Sequence, residues 1–472
     1  MNFFFGTSLR CPHISLFKKI IFVIVLLAII SSLSRADDQL RKKIGQMVIL
    51  GFNGTTLDDS LRVDLAQRNL GGVILLGGNC TSPLQLQELT ASIRSAAMTP
   101  PFIAIDQEGG KVARLNKSNG FASTYTAYKL GSVFQSLDST AAQAALMASW
   151  LKASGINVNF APVADVDVNP SSPAIGAYDR SFSPIPAVVA EHAERFIDEF
   201  HAQHIITTLK HFPGHGSAAT DSHFNLPDIT TTWADSELVP YRDLLAAHKV
   251  DLVMVGHLFN AKIDSLYPSS LSYNTITGLL RDSLGYNGAV ITDDLYNMEA
   301  ITANFDFSTT VQHAINGGND MLLYILNIDQ VSHASLCEKI IDTVEAMVNS
   351  GVIAESRIDD AYNHIQQLKN AYLPMEVAVQ HNGVIPSDIT LSNYPNPFNP
   401  MTQLRFEVPV SGFVTLKVFD LLGRHIATLV SENVKAGQYD IPWNAAAYPS
   451  GVYFCVLQSG NQMRTAKLML VK

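Results

Sequence analysis

The stretch Ile205-Ile-Thr-Thr-Leu-Lys-His-Phe-Pro-Gly-His-Gly216, closing with Asp221-Ser-His223, decides how the rest of this chain is read. Its first part is a short β-branched run of the kind that forms a buried parallel strand. From Lys210 to His223 it then packs one Lys, three His and one Asp into fourteen residues, interrupted by a Pro and two Gly. A strand that stops at Lys210-His211 and opens into a Gly/Pro loop puts polar groups at its C-terminal end, where α/β barrels build active sites. A His-rich surface loop is the plain alternative, and for one isolated His it would prevail. Five chemically capable residues behind a buried strand favour catalysis.

The same pattern repeats on both sides of this stretch. Met47–Phe52, Gly71–Leu76, Phe102–Ile105 and Val158–Ala161 precede it as short apolar runs, and Leu252–Val255, Ala289–Thr292 and Met321–Tyr324 follow it. Helical patterns separate them, among them Ser82–Ala97, Ala141–Ser154, Ile185–Gln203, Thr275–Leu284 and Thr309–Asn316. Buried strands alternating with helices predict a parallel sheet with right-handed crossovers. Eight such units in about 330 residues predict a (β/α)8 TIM-like barrel over 37–375.

Composition changes near residue 375. Residues 376–400 read as a Pro/Asn-rich linker around Asn393-Tyr-Pro-Asn-Pro-Phe-Asn-Pro400, which cannot be helix. Beyond it, alternating segments at 403–408, 413–419, 438–441, 451–456 and 464–471 predict a small all-β sandwich domain over 401–472. At the other end, Arg10, Lys18 and Lys19 precede the apolar run Ile20–Ile30, and Ser34-Arg-Ala36 supplies small residues for cleavage. Residues 1–36 therefore read as a signal peptide, with no stable transmembrane span once it is removed; an uncleaved anchor is the alternative.

A net charge of −10 and the lack of a dense Lys/Arg cluster argue against a nucleic acid partner. Cys80, Cys337 and Cys455 are too few and too scattered for a disulfide framework or a zinc site, and read as packing residues.

The expected strand ends carry the chemistry. The third gives Asp106-Gln-Glu-Gly-Gly110 with Arg114, the fourth Asp165, Asp167 and Tyr178-Asp-Arg-Ser181, the sixth His257, and the seventh Asp293-Asp294. Asp165 and Asp167 serve equally well as caps or structural partners. An Asp at one strand end facing a His-bearing loop suits acyl, phosphoryl or glycosyl transfer, and glycosyl transfer with retention needs a carboxylate at the anomeric carbon and a separate proton donor. Asp293 or Asp294 can supply the first. His223 can supply the second if Asp221 holds its other ring nitrogen, and the Gly and Pro residues suit a loop that swings over a bound sugar. Zinc on His211, His215, His223 and Asp221 is the rival, but no helical His spacing supports it, so neither a metal nor another cofactor is expected.

Lys210-His-Phe-Pro-Gly-His-Gly216 with Asp221-Ser-His223 resembles the signature of glycoside hydrolase family 3, in its β-N-acetylglucosaminidase branch. Asp106–Gly110, Ala161-Pro-Val163, Asp179-Arg-Ser-Phe182 and Thr292-Asp-Asp-Leu295 resemble the same branch in the same order. The resemblance implies a hydrolase without a required metal. Asp293 would be the nucleophile and Asp221–His223 the acid/base, while Asp106, Arg114, Arg180, Lys210 and His211 would bind the sugar. Two departures stand out: Lys111 where the branch usually has Arg, and an apparent extra residue in Leu295-Tyr-Asn-Met298. The expected partner is a GlcNAc-containing oligosaccharide or muropeptide. A β-glucosidase or β-xylosidase, a phosphorylase and a non-catalytic glycan-binding protein are the alternatives.

The tail resembles the sorting domain of the type IX secretion system at Tyr394–Pro400, Val418-Phe-Asp-Leu-Leu-Gly-Arg424 and Pro449-Ser-Gly-Val-Tyr-Phe454. That implies engagement of the secretion machinery through the C-terminal domain and a secreted or cell-surface location. A sugar-binding or spacer module is the alternative.

Overall fold

A computed structural model describes residues 37–325, 333–373, 378–380, 386–445, 448–460 and 462–472. The expected signal peptide at 1–36 lies outside them, as does part of the expected linker.

Eight parallel strands close into a barrel. They are β1 (Val48–Gly51), β2 (Gly72–Leu75), β3 (Phe102–Ile105), β4 (Val158–Asn159), β5 (Ile206–Phe212), β6 (Leu252–Val255), β7 (Ala289–Asp294) and β8 (Met321–Ile325). β8 pairs with β1, Val48 opposite Leu322, so the sheet has no free edge. The strand residues are buried almost throughout because their outer faces meet helices and their inner faces meet each other. Inside the barrel, Ile49, Phe102, Ala104, Val158, Leu252, Ile291 and Met321 surround a void of about 10 Å³, so the interior is packed and ligand can enter only from an end.

The outer helices form where the sequence offers both an apolar stripe and a stop. Pro83–Ala96 starts on Ser82, whose side chain accepts from the Gln85 N–H, and buries Leu86, Leu89 and Ile93. Pro186–His201 begins with Pro at its first position and buries Val189, Ala193, Phe196 and Phe200. β5 runs through Lys210 and His211 to Phe212, so these two belong to the strand itself and the loop opens only after them.

The tail folds as two four-stranded antiparallel sheets. One holds 378–380, Gly437–Asn444, Met401–Val408 and Thr390–Tyr394; the other holds His425–Val434, Gly412–Asp420, Gly451–Ser459 and Gln462–Leu470. Alternate residues such as Leu404, Phe406, Leu416, Val418, Cys455 and Leu457 fill the space between them. Segment 376–400 is more than a linker: Thr390–Tyr394 pairs with Met401–Val408, Leu391 opposite Phe406. Pro395, Pro397 and Pro400 follow the strand instead of interrupting it, and their cluster made the segment read as irregular. The cysteines at 80, 337 and 455 are buried free thiols. Among the described residues, no helix is long and apolar enough to cross a membrane.

Candidate active site

The polar strand ends converge on a cavity of about 550 Å³ at the C-terminal end of the barrel. Its floor is a buried web of opposite charges. Asp106, just past β3, accepts from Lys210 Nζ at 2.8 Å and from Arg114 Nη2 at 3.0 Å. The chain then turns through a two-stranded hairpin, Gln107–Gly109 against Val112–Ala113, that carries Glu108. Arg180 grips Glu108 with two parallel bonds of 2.9 and 2.7 Å, and Lys210 Nζ lies 2.7 Å from the same carboxylate. Burial alone would raise both carboxyls. Lys210 and Arg114 nevertheless hold Asp106 well below the usual range, and Arg180 and Lys210 bring Glu108 to about 2. Burial opposes the charge on Lys210, but Asp106 and Glu108 outweigh it and raise its pKa.

His211 is fixed from both sides. Its Nδ1 lies 2.7 Å from Asp165 Oδ2, and its Nε2 lies 3.3 Å from Arg180 Nη2. Asp165 also accepts from the backbone N–H groups of His211 at 3.1 Å and His215 at 2.7 Å. Its role is therefore structural within the site: it orients His211 and pins the turn that follows.

Irregularities in the barrel aim the site residues. Between β5 and β6, Leu209 pairs with Val253 and Phe212 with Val255, so three steps on one strand match two on the other. That extra residue breaks the alternation of faces and lets the consecutive Lys210 and His211 both line the cavity. A register shift also lies between β7 and β8, where Ile291 pairs with Met321 and Asp294 with Leu323. Here the two neighbouring carboxylates keep the ordinary divergence of successive strand residues. Asp293 lines the cavity, while Asp294 turns away to accept from the backbone N–H groups of Tyr296 at 2.9 Å and Ile325 at 2.9 Å and from Asn297 Nδ2 at 2.8 Å. Burial raises Asp294 to about 6. Burial also pushes Asp293 upward, yet His257 and His211, with the Asp294 N–H at 2.8 Å, hold it below the ordinary carboxylate value.

Across the cavity, Asp221 Oδ1 lies 2.8 Å from His223 Nδ1 and accepts from the His223 N–H at 3.0 Å. That bond raises the His223 pKa and lowers Asp221 to about 2. The loop is tied to the segment after β7: Ala300 N donates to Ser222 O at 3.2 Å, and Ser222 Oγ to Met298 Sδ at 3.7 Å. The wall formed by Asn297 and Met298 thus also seats the dyad.

Asp293, His223, Asp221, Asp106, Arg114, Arg180, Lys210 and His211 all line the cavity. Sequence reasoning passed over Glu108, although it lies in the quoted Asp106–Gly110 motif; the bidentate Arg180 contact is invisible without the fold. It also set aside His215, which faces the cavity with both ring nitrogens lacking a hydrogen-bond partner, its pKa lowered to about 4 by burial. The expectation that the glycines serve a swinging loop needs correction. Residues 211–218 are buried, and a Cβ on Gly216 would stand 1.6 Å from Val166 O, so that glycine permits close packing. Exposed chain begins only at Ala219, just ahead of the dyad. Lys111, half exposed, pairs with Asp179 at 2.9 Å outside the cavity lining. Of the side chains considered for zinc, His211 is committed to Asp165 and Asp221 to His223. No group of three or more potential metal ligands occurs among the described residues.

Residues 39–368 match the glycosyl hydrolase family 3 N terminal domain, and residues 392–472 match a secretion system C-terminal sorting domain. A β-hexosaminidase of Tolumonas auensis is 38% identical over 280 residues, spanning 58% of this chain and 81% of that protein. β-Hexosaminidase A of Pseudoalteromonas piscicida is 31% identical over 337 residues, 67% of this chain and 56% of the relative. Among solved structures, the family 3 β-N-acetylglucosaminidase of Paenibacillus sp. FPU-7 superposes with a TM-score of 0.66 at 32% identity, covering 76% of this chain and 70% of that one. The β-N-acetylhexosaminidase of Beutenbergia cavernae gives 0.64 at 27%, covering 70% and 98%.

Proposed function

Given that this chain belongs to glycosyl hydrolase family 3 and is a glycoside hydrolase, we propose that it is an exported, retaining exo-β-N-acetylglucosaminidase. Its substrates would be saccharides with a terminal β-linked GlcNAc, derived from peptidoglycan or chitin. The observation that carries this reading is the meeting, in one cavity, of the Asp293 carboxyl group and a carboxylate-paired imidazole at His223.

In the first step Asp293 attacks the anomeric carbon and the glycosidic bond breaks, while His223 gives its Nε2 proton to the departing oxygen. The low pKa of Asp293 keeps it ionised, and Asp221 offsets the imidazolium charge before the proton leaves. In the second step neutral His223 takes a proton from water, whose oxygen attacks the same carbon and releases Asp293. Asp106, Arg114, Arg180, Lys210 and His211 hold the sugar; their mutual bonds supply donors and acceptors already oriented before it arrives. The relatives' names, β-hexosaminidase and β-N-acetylglucosaminidase, support the GlcNAc specificity over glucosides or xylosides. The C-terminal match supports export to the cell surface or beyond by the type IX route, with the segment before 37 as a signal peptide, 37–375 as the catalytic unit and the tail as the secretion address.

The test is hydrolysis of p-nitrophenyl β-GlcNAc against the matching glucoside and xyloside, with Asp293→Ala as control. GlcNAc release should dominate, and Asp293→Ala should lose at least about 10⁴-fold in kcat with its circular dichroism intact. Preferential glucoside cleavage would overturn the specificity; full activity in Asp293→Ala would overturn the nucleophile. Running the assay in phosphate buffer, GlcNAc as sole product speaks for hydrolysis and GlcNAc-1-phosphate for phosphorolysis.

A further inference from the structure

Two large aromatic rings stand at the cavity without a role in the steps above. Phe224 is 68% exposed and Tyr178 is 51% exposed, and both line the cavity. By contrast Phe52, Phe160, Phe200 and Phe212 of the barrel are almost completely enclosed. Phe224 directly follows His223, their ring centroids 6.5 Å apart. Tyr178 ends a short turn, Gly176–Tyr178, on the loop after β4 that also carries Arg180. Lys111 Nζ lies 5.9 Å from the Tyr178 ring, and its charge is taken up by Asp179.

We propose that Phe224 and Tyr178 form the subsite for the leaving group and take a pyranose ring, Phe224 by stacking and Tyr178 by a second aromatic contact. The inference rests on the glycosidase reading above and deepens it. His223 must deliver its proton to the glycosidic oxygen, so the departing sugar lies against His223, away from the charged floor that holds the other ring. The side chain next to His223 on that exposed loop is a flat apolar surface. An aromatic face suits the C–H face of a pyranose, contributing contact area at little cost in side-chain entropy. Solvent exposure is the expected state of such a platform in the unliganded chain.

The test compares chitobiose with methyl β-GlcNAc on the full chain. Both release an alkoxide that needs protonation, and only chitobiose has a ring to stack. Phe224→Ala should lower the ratio of kcat/KM for chitobiose to that for the methyl glycoside by about 3–10-fold, Phe224→Tyr should restore it, and Tyr178→Ala should lower it less. An unchanged ratio in Phe224→Ala, with both substrates losing together, would mean that the substitution only misplaced His223, and it would overturn the platform alone. A wild-type chain that released GlcNAc from no substrate would instead sink the glycosidase reading, and the platform with it.

Discussion

The two halves of the cavity are built on opposite terms. The charged floor of Asp106, Glu108, Arg114, Lys210 and Arg180 is tightly paired, with each charge answered by another at 2.7–3.0 Å. The dyad wall is local and open: His223 is 57% exposed in its side chain and held by a carboxylate two residues away. A binding surface gains from rigidity, because groups fixed before the ligand arrives lose no freedom on binding. A proton donor that must later receive water needs access, and its partner need only fix its orientation and charge. The difference also predicts what substitution does. Damage to the floor should appear in folding, and damage to the wall in chemistry.

The largest expected effect falls on the floor. Arg180→Ala removes one of the two cationic partners of the buried Glu108, leaving Lys210, and should destabilise the fold by about 3 kcal/mol, read as a lower midpoint in urea. Arg180→Ala together with Glu108→Gln should recover part of that loss. A single variant as stable as wild type would break the contrast. On the wall, His223→Ala should leave the unfolding midpoint nearly unchanged while slowing turnover about 10²–10⁴-fold. The loss should shrink for leaving groups that need no proton, such as 2,4-dinitrophenolate. Equal losses for good and poor leaving groups would remove His223 from the acid role.

The smallest effect sharpens the comparison through pH. The acid form of His223 must be protonated, and the bond to Asp221 raises its pKa, so activity should persist to higher pH and fall as pH rises through that raised value. Asp221→Asn keeps the shape and removes the charge; the alkaline limb of the kcat/KM profile should move to lower pH. At the acid end, Asp293 must be ionised and its pKa is held down, so activity should fall only as pH drops through that lowered value, in both proteins. An alkaline limb that stays in place would mean that Asp221 does not govern His223.

Much of the architecture was legible because it depends on local composition. Val73-Ile-Leu75, Leu252–Val255 and Met321–Tyr324 can only be buried strands at their length, and the helices between them carry their own caps and apolar stripes. The alternation in Leu404, Phe406 and Val408 likewise declared the sandwich strands. Thr390–Tyr394 and His425–Val434 were missed, the first because Pro and Asn crowd its end and the second because polar residues interrupt its pattern.

The sequence by itself determined the order of strands and helices, the chemical types at each strand end, and the Asp221–His223 pair, because residues two apart in a loop can reach each other without help from the rest of the fold. It left Asp293 and Asp294 chemically equal, and it offered no sign that Glu108 holds Arg180 across 72 residues. Only the tertiary structure decided those points. The seating of β7 beside β8 leaves Asp293 on the cavity and gives Asp294 the Ile325 backbone N–H, and closure of the barrel brings distant charges within bonding range. Both depend on register and closure, which no local pattern of residues encodes.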